Sequence, residues 1–333
     1  MRSINIAPAT TELLDLLDVP SLLVRGDRIA YANPAALDLL GSHIKGQDVR
    51  LALRDPDALA ILRASEGGHV RVSGLSVAGS VWGLTSNALS DGTRFVTLED
   101  LSATESVARA HADFVANASH ELRTPLATII GYAETLSDTK AGGDAATRNR
   151  FLGIIKSEAA RMQSLVEDLM SLSRIEAIKH DAPRTPVDLV ALAKEAAGEV
   201  RHRTSVRIVT DLDSAVVAGD HGQLAQVLRN LVDNALKYGA PDGKVTITID
   251  LTDSGWFSLC VKDEGDGIAP EHLPRLTERF YRADESRSRQ VGGTGLGLSI
   301  VKHIVERHRG RFDITSRSGA GTTATVILPA LSK

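Results

Sequence analysis

Two runs of apolar residues spaced seven apart constrain this chain more than any other feature. Val115, Leu122, Ile129 and Leu136 repeat at heptad spacing, with Ala118 and Tyr132 between them. A polar break follows at residues 138–144 (DTKAGGD), and Ile155, Met162 and Leu169 then repeat in the same way, joined by Leu165 and Leu172. A seven-residue apolar repeat draws a narrow stripe along one side of a helix. Two striped helices joined by a short break make an αα-hairpin. Such a hairpin rarely buries its stripes alone. Pairing with a second copy into a four-helix bundle is the economical solution, and packing on another part of the same chain is the alternative.

The flanking segments do not carry this pattern. Residues 13–17 read as a short helix, and residues 21–24 and 28–32 as a hairpin around the Gly26-Asp27 turn. Asn33-Pro34 opens a helical run with Ala35, Ala36, Leu39 and Leu40 on one side. Residues 70–77, 81–89 and 94–98 are β-rich, so the first hundred residues predict an antiparallel sheet with helices on one face. After the hairpin, residues 179–186 (KHDAPRTP) read as a linker. Residues 187–331 alternate helix and strand, with helices at 189–200, 224–238 and 298–307 and strands at 206–210, 245–249, 256–261, 313–316 and 323–328. The fold class is therefore multidomain α+β, divided as 1–100, 101–180 and 187–331.

Composition removes several function classes. With 38 basic and 42 acidic residues and a net charge of -4, the chain is too balanced to bind nucleic acid over its whole surface. Its one cysteine, Cys260, excludes an internal disulfide and a cysteine-built zinc site, and the 10 histidines form no HExxH pattern. The apolar stretch near the start is interrupted by Asp15 and Asp18, so neither a spanning helix nor a signal peptide is expected there. The expectation is a cytoplasmic protein that meets a membrane only indirectly.

Three clusters carry chemistry. Gly265 and Gly267 lie in Asp263-Glu264-Gly265-Asp266-Gly267-Ile268, directly after a strand, and Gly292, Gly293, Gly295 and Gly297 lie directly before a helix. Glycines at a helix start let backbone N–H groups reach a phosphate. The second cluster is neither a Rossmann fingerprint nor a Walker A loop. Asp263 is placed to accept a hydrogen bond from an exocyclic amine such as adenine's. On the helix before it, Asn230, Asn234 and Lys237 are four and three apart and share a face. Two amides and an ammonium there could hold Mg²⁺ and phosphate oxygens; a solvated polar face is the plainer reading. On the first striped helix, His120 lies off the stripe, beside Glu121, four before Thr124 and one turn before Pro125. Most helical histidines are surface side chains, but a neutral imidazole steered by a carboxylate is a competent nucleophile.

The string His120-Glu121-Leu122-Arg123-Thr124-Pro125-Leu126 resembles the H box of sensor histidine kinases of the HisKA type. Asn230-Leu-Val-Asp-Asn234-Ala-Leu-Lys237-Tyr238 resembles their N box, and the Asp263 to Ile268 motif their G1 box. Glu278-Arg279-Phe280-Tyr281-Arg282 resembles the F box, and Gly292-Gly293-Thr294-Gly295-Leu296-Gly297-Leu298 the G2 box. Five motifs in the family's order are far more specific than any one of them.

The resemblance implies a dimerising phosphotransfer hairpin followed by a Bergerat-type ATP-binding sandwich. His120 then takes the γ-phosphoryl group of Mg-ATP, Glu121 is the general base, and Thr124 orients water for dephosphorylating a partner. Asn234 matches the Mg²⁺ ligand, with Asn230, Lys237 and Tyr238 around the nucleotide, and Asp263 matches the adenine-binding carboxylate. Gly265, Gly267, Ile268, Phe280, Arg282, Gly293, Thr294, Gly295, Leu296, Gly297, Leu298 and Thr323 complete the implied nucleotide site. The segment between Phe280 and Gly292, with five charged residues in 282–289 (RADESRSR), matches a mobile ATP lid. The implied partners are a second copy of the chain and the receiver domain of a response regulator, whose aspartate accepts the phosphoryl group. The first hundred residues resemble a PAS domain, most clearly from Leu22 to Leu37, which implies a sensory role. The surroundings of His120, from Phe114 onward and at Gly131-Tyr132, resemble phosphate-regulon sensor kinases, which implies phosphate status as the signal. Two other readings compete: a gyrase- or chaperone-type ATPase, which has no reason to carry the His120 hairpin, and a non-catalytic ATP-binding scaffold.

Overall fold

The computed structural model describes residues 8–64, 66–77, 79–137, 144–178, 181–200, 206–240, 243–283 and 293–331. The chain divides into two compact units, Met1–Val115 and Ala116–Lys333. The lid segment from residue 284 onward, Gly292, the break after residue 137 and the start of the linker lie outside the described residues.

The first unit opens with α1 (Pro8–Asp15), whose start is set by a proline suited to a first helical turn, so the helix lies earlier than residues 13–17. Strands β1 (Ser21–Arg25) and β2 (Arg28–Ala32) form the expected hairpin around Gly26, at φ 59. α2 (Pro34–Leu40) follows, capped by Asn33, whose side chain accepts the Ala36 N–H. α3 (Pro56–Arg63) was not expected from periodicity. Its signal is local: Asp55 caps the N–H groups of Asp57 and Ala58, and Pro56 opens the first turn. Strands β3 (Gly68–Ser73), β4 (Val81–Ala88) and β5 (Arg94–Asp100) complete a sheet in the order β2-β1-β5-β4-β3, antiparallel throughout. β3 stops short of residue 77 because Gly74 turns the chain at φ 73. Leu22, Ile29, Ile44, Leu53, Leu84 and Leu98 form its fully buried centre. Asn33, also fully buried, accepts the N–H of Ser21 and donates to the carbonyls of Leu14, Leu17 and Val19.

The division between units falls within α4 (Ser102–Ser137), which continues through Pro125 and carries His120. α5 (Ala145–Ala177) is the second arm of the hairpin, started by Asp144, which caps Ala146 and Thr147. The two arms meet at Tyr132 and Phe151, with ring centroids 4.8 Å apart, and at Glu121 and Arg161. Of the expected stripes, Leu165 and Leu172 are buried, most members are half-buried, and Val115 is exposed.

The remainder begins with β6 (Thr185–Asp188), α6 (Leu189–Glu199), β7 (Val206–Val209), β8 (Val216–Gly219) and α7 (His221–Tyr238). It ends with β9 (Val245–Leu251), β10 (Trp256–Lys262), α8 (Gly297–Arg307), β11 (Arg311–Ser316) and β12 (Thr322–Pro329). The five-stranded sheet runs β11-β12-β10-β9-β7, with β7 parallel to β9 and the other pairs antiparallel. Val245, Ile247 and Ile249 are buried at alternate positions, as a sheet with one covered face requires. α7 covers that face with Leu224, Val227, Leu228, Leu231, Val232 and Ala235, a helix-period stripe, and α8 does so with Ile300, Val301, Ile304 and Val305. The opposite side of α7 is left polar, and its asparagines face a cavity.

Candidate active site

The cavity measures about 450 Å³ and lies between α7, the ends of the sheet strands, the loop before α8, and α5. Of the residues expected from sequence, it is lined by Asn230, Asn234, Lys237, Tyr238, Asp263, Gly267, Ile268, Arg282, Gly293, Thr294, Gly295, Gly297 and Leu298. Four expected residues do not line it. Gly265 supports Asp263 from behind; a Cβ there would lie 2.2 Å from the Tyr238 carbonyl oxygen. Leu296 is fully buried beneath the loop. Phe280, at φ 63, acts through its backbone, with its N–H donating to the Gly295 carbonyl at 2.9 Å. Thr323 is displaced by strand alternation: Thr322 and Ala324 on either side of it line the cavity instead.

Asp263 follows β10 and is only 8% exposed. Its Oδ1 accepts the N–H groups of Gly265 at 2.9 Å and Thr322 at 3.2 Å, and the residue lines the cavity. Burial pushes its carboxyl above the usual carboxylate range, against the pull of those two donors. An acid so held is fixed in orientation and suited to recognising an amine edge. Gly295, at φ 72, is required in the loop because a Cβ would meet Phe280 backbone carbons 2.8 Å away. Asn230 ties this loop to α7, donating from Nδ2 to the Gly297 carbonyl at 3.2 Å. The start of α8 therefore lies beside the amides of α7, and helix starts of this kind are where anions bind.

Sequence reasoning missed the wall contributed by the hairpin. Ser164 and Asp168 of α5 line the cavity, and the Thr294 hydroxyl donates to Asp168 Oδ2 at 2.8 Å. Below them Ser171 donates to Gln226 of α7 at 2.9 Å, and Arg307 of α8 donates to the Ile178 carbonyl at 3.2 Å. A lone acid on a striped helix reads as a solvated side chain, so the one available signal was its position between the striped residues Leu165, Leu169 and Leu172. His272 and Tyr281 were also missed; they bond to each other at 2.7 Å at the cavity edge.

On α4, His120 is exposed and lies outside the cavity wall. Glu121 does not turn toward it, since consecutive helical side chains diverge by about 100°. Its Oε2 accepts Arg161 at 3.2 Å and Arg282 at 2.8 Å. Arg282 is the link between the two places: its side chain is 8% exposed, lines the cavity and ends on the carboxylate beside His120. The Thr124 hydroxyl donates back to the His120 carbonyl at 3.4 Å.

Comparison with known proteins agrees with this arrangement. Residues 110–178 match the His Kinase A (phospho-acceptor) domain, and residues 219–332 match the Histidine kinase-, DNA gyrase B-, and HSP90-like ATPase domain. The chain is 42% identical over 233 residues to the phosphate regulon sensor protein PhoR of Pseudomonas aeruginosa, covering 68% of this chain and 52% of that one. It is 35% identical over 292 residues to the sensor-like histidine kinase SenX3 of Mycolicibacterium smegmatis, covering 85% of this chain and 71% of that one. The crystal structure of histidine kinase ThkA in complex with response regulator protein TrrA shares the fold over 96% of this chain and 98% of that one, with a TM-score of 0.53 at 20% identity. No helix among the described residues is long and apolar enough to cross a membrane. The two domain matches and these relatives lead to one conclusion: the chain belongs to the sensor histidine kinase family.

Proposed function

We propose that the chain is a protein-histidine kinase that phosphorylates His120 from Mg-ATP and passes the phosphoryl group to an aspartate of a response regulator receiver domain. The carrying observation is Arg282, which lines the nucleotide cavity and ends on the carboxylate adjoining His120. Asp263 recognises the adenine edge. Asn230, Lys237, Thr294 and the glycine loop hold phosphate oxygens. The Asn234 amide oxygen is a hard ligand that fits Mg²⁺ completed by phosphates and water, and that ion supplies charge neutralisation at the phosphates. A His120 ring nitrogen attacks the terminal phosphorus; a P–N bond forms, the P–O bond to ADP breaks, and Glu121 receives the ring proton. Phosphoryl transfer has a loose transition state, so positioning and cationic groups such as Arg282 carry most of the catalysis. For Glu121 to act as base, one arginine must leave it, so the transfer state differs from this arrangement.

The domain assignment follows: residues 1–100 a PAS-like sensory unit responsive to phosphate status, 101–180 the dimerising phosphotransfer hairpin, and 187–331 the ATP-binding domain. Support for the first is the antiparallel order β2-β1-β5-β4-β3 and the likeness to PhoR. Because ATP is the donor, the reaction runs in the cytoplasm. Thr124, one helical turn from His120, orients the water that dephosphorylates the regulator.

The test is incubation with γ-labelled ATP and Mg²⁺ beside His120→Ala. Acid-labile, alkali-stable label on the parent and none on the variant is expected; label persisting on His120→Ala rejects the assignment. In the same assay with the labelled regulator, Thr124→Ala is expected to keep autophosphorylation and slow dephosphorylation. An unchanged dephosphorylation rate removes Thr124 from that role.

A further inference from the structure

Asp168 belongs to the hairpin, yet its carboxylate is spent on the other side of the cavity. It accepts the Thr294 hydroxyl, and Thr294 stands between Gly293 and Gly295 in the loop that opens α8. Lys237 reaches the same carboxylate electrostatically from α7. A carboxylate oxygen and a phosphate oxygen ask for the same partners, a hydroxyl donor and an ammonium. Thr294 has one hydroxyl proton and cannot donate it to both anions at once, and the two negative charges repel across the shared Lys237.

We propose that Asp168 is an intramolecular occupant of the phosphate end of the cavity, competing with the terminal phosphates of ATP for Thr294 and Lys237. The inference rests on the cavity being the nucleotide site. Burial pushes the Asp168 carboxyl above the usual carboxylate range, with Thr294 and Lys237 pulling the other way. Its charge is thus poorly placed for stability and tolerated because those two partners hold it. The contacts below it, Ser171 with Gln226 and Arg307 with the Ile178 carbonyl, dock α5 against α7 and α8 while the latch is closed. The latch raises the apparent dissociation constant by the reciprocal of the unlatched fraction. By linkage, a nucleotide with terminal phosphates loosens the docking of α5 by the same factor.

The experiment is titration of the full chain, and of Asp168→Asn and Asp168→Ala, with two probes: Mg²⁺ plus a non-hydrolysable ATP analogue, and AMP. Asp168→Asn keeps the size and removes the charge; Asp168→Ala removes both charge and acceptor. Both variants are expected to bind the ATP analogue about tenfold tighter, the factor for a latch closed about nine times in ten, with AMP binding unchanged. Analogue binding that is unchanged or weaker in both variants, while the parent binds both probes, overturns the latch and leaves the nucleotide site standing. A parent that binds neither probe overturns the nucleotide site and the latch with it. Equal tightening of AMP and the analogue also rejects the proposal, since the competition is with terminal phosphates.

Discussion

A single ring sets a pH limit on the ATP-binding domain. His308 is 3% exposed; its Nε2 accepts the Asp220 N–H at 3.0 Å, and its Nδ1 lies 2.7 Å from the Ile304 carbonyl, so the neutral Nδ1–H tautomer satisfies both. Burial pushes this imidazole below its ordinary value, and neighbouring Arg307 adds to the effect, against the Ile304 bond and Asp220. The unfolded chain therefore takes up the proton first as pH falls. Stability is full above the ordinary value near 6.5 and declines below it until the depressed native value is reached. Thermal unfolding from about pH 7.5 to about pH 5.5 should show a drop in midpoint that is smaller in His308→Gln, whose amide oxygen still accepts the Asp220 N–H. Parallel curves for the two proteins would exclude His308 as the source. Residue identity was legible where chemistry and backbone coincide. Asp263 follows a strand and precedes Gly-x-Gly, so few roles suit it. Thr323 shows the limit: neighbouring strand positions face opposite ways, and the phase of β12 is set by its pairing with β10, which no local pattern reveals. Asp168 was illegible because its partner Thr294 lies 126 positions away.

At the scale of elements, the heptad repeat located both hairpin helices but not the face each would leave open. Leu126 and Ile130 on α4, and Leu152, Val166 and Met170 on α5, are exposed large apolar residues, while Leu165, Leu172 and Ile175 are buried on α5. Spacing shows that a helix has an apolar stripe; it does not divide that stripe between an intramolecular neighbour and a partner. The starts of α2 and α5 were more legible, because Asn33 and Asp144 cap them with their own side chains, while the cap that Asp55 gives α3 went unread. A second copy of the hairpin is the occupant that the bundle architecture expects on the open face. Burying one isoleucine contributes about 1.5–3 kcal/mol, and a two-fold interface counts it twice. For the dimer that we propose, paired through this face, Ile130→Asp should shift sedimentation from dimer to monomer without lowering helix content. A persistent dimer would place the pairing surface elsewhere.

For the molecule as a whole, the docked position of the ATP-binding domain on α5 bears most on function. His120 is exposed and outside the cavity wall, so the transfer proposed above requires the domain to move relative to the hairpin. Ser171 and Gln226 are not in the cavity wall, and they mark where the two parts touch. Replacing both with cysteine and joining them with a cleavable bis-maleimide should suppress labelling of His120 by about a hundredfold, the order expected when reacting groups are held out of reach. Labelling should return when the tether is cut. Full labelling with the tether intact would mean that transfer proceeds from the docked state. The half-buried Cys260 on β10 serves as the control site, in a parent carrying no new cysteine. The same movement has a mechanical side, set by Pro125. α4 has 36 residues, and only one of those residues is a proline. That proline cannot donate to the Glu121 carbonyl, so the helix has one missing tie, in the turn that carries the histidine and its neighbouring acid. A strained beam yields at its softest section. Within the second unit, bending of α4 is therefore concentrated in the turn that carries His120.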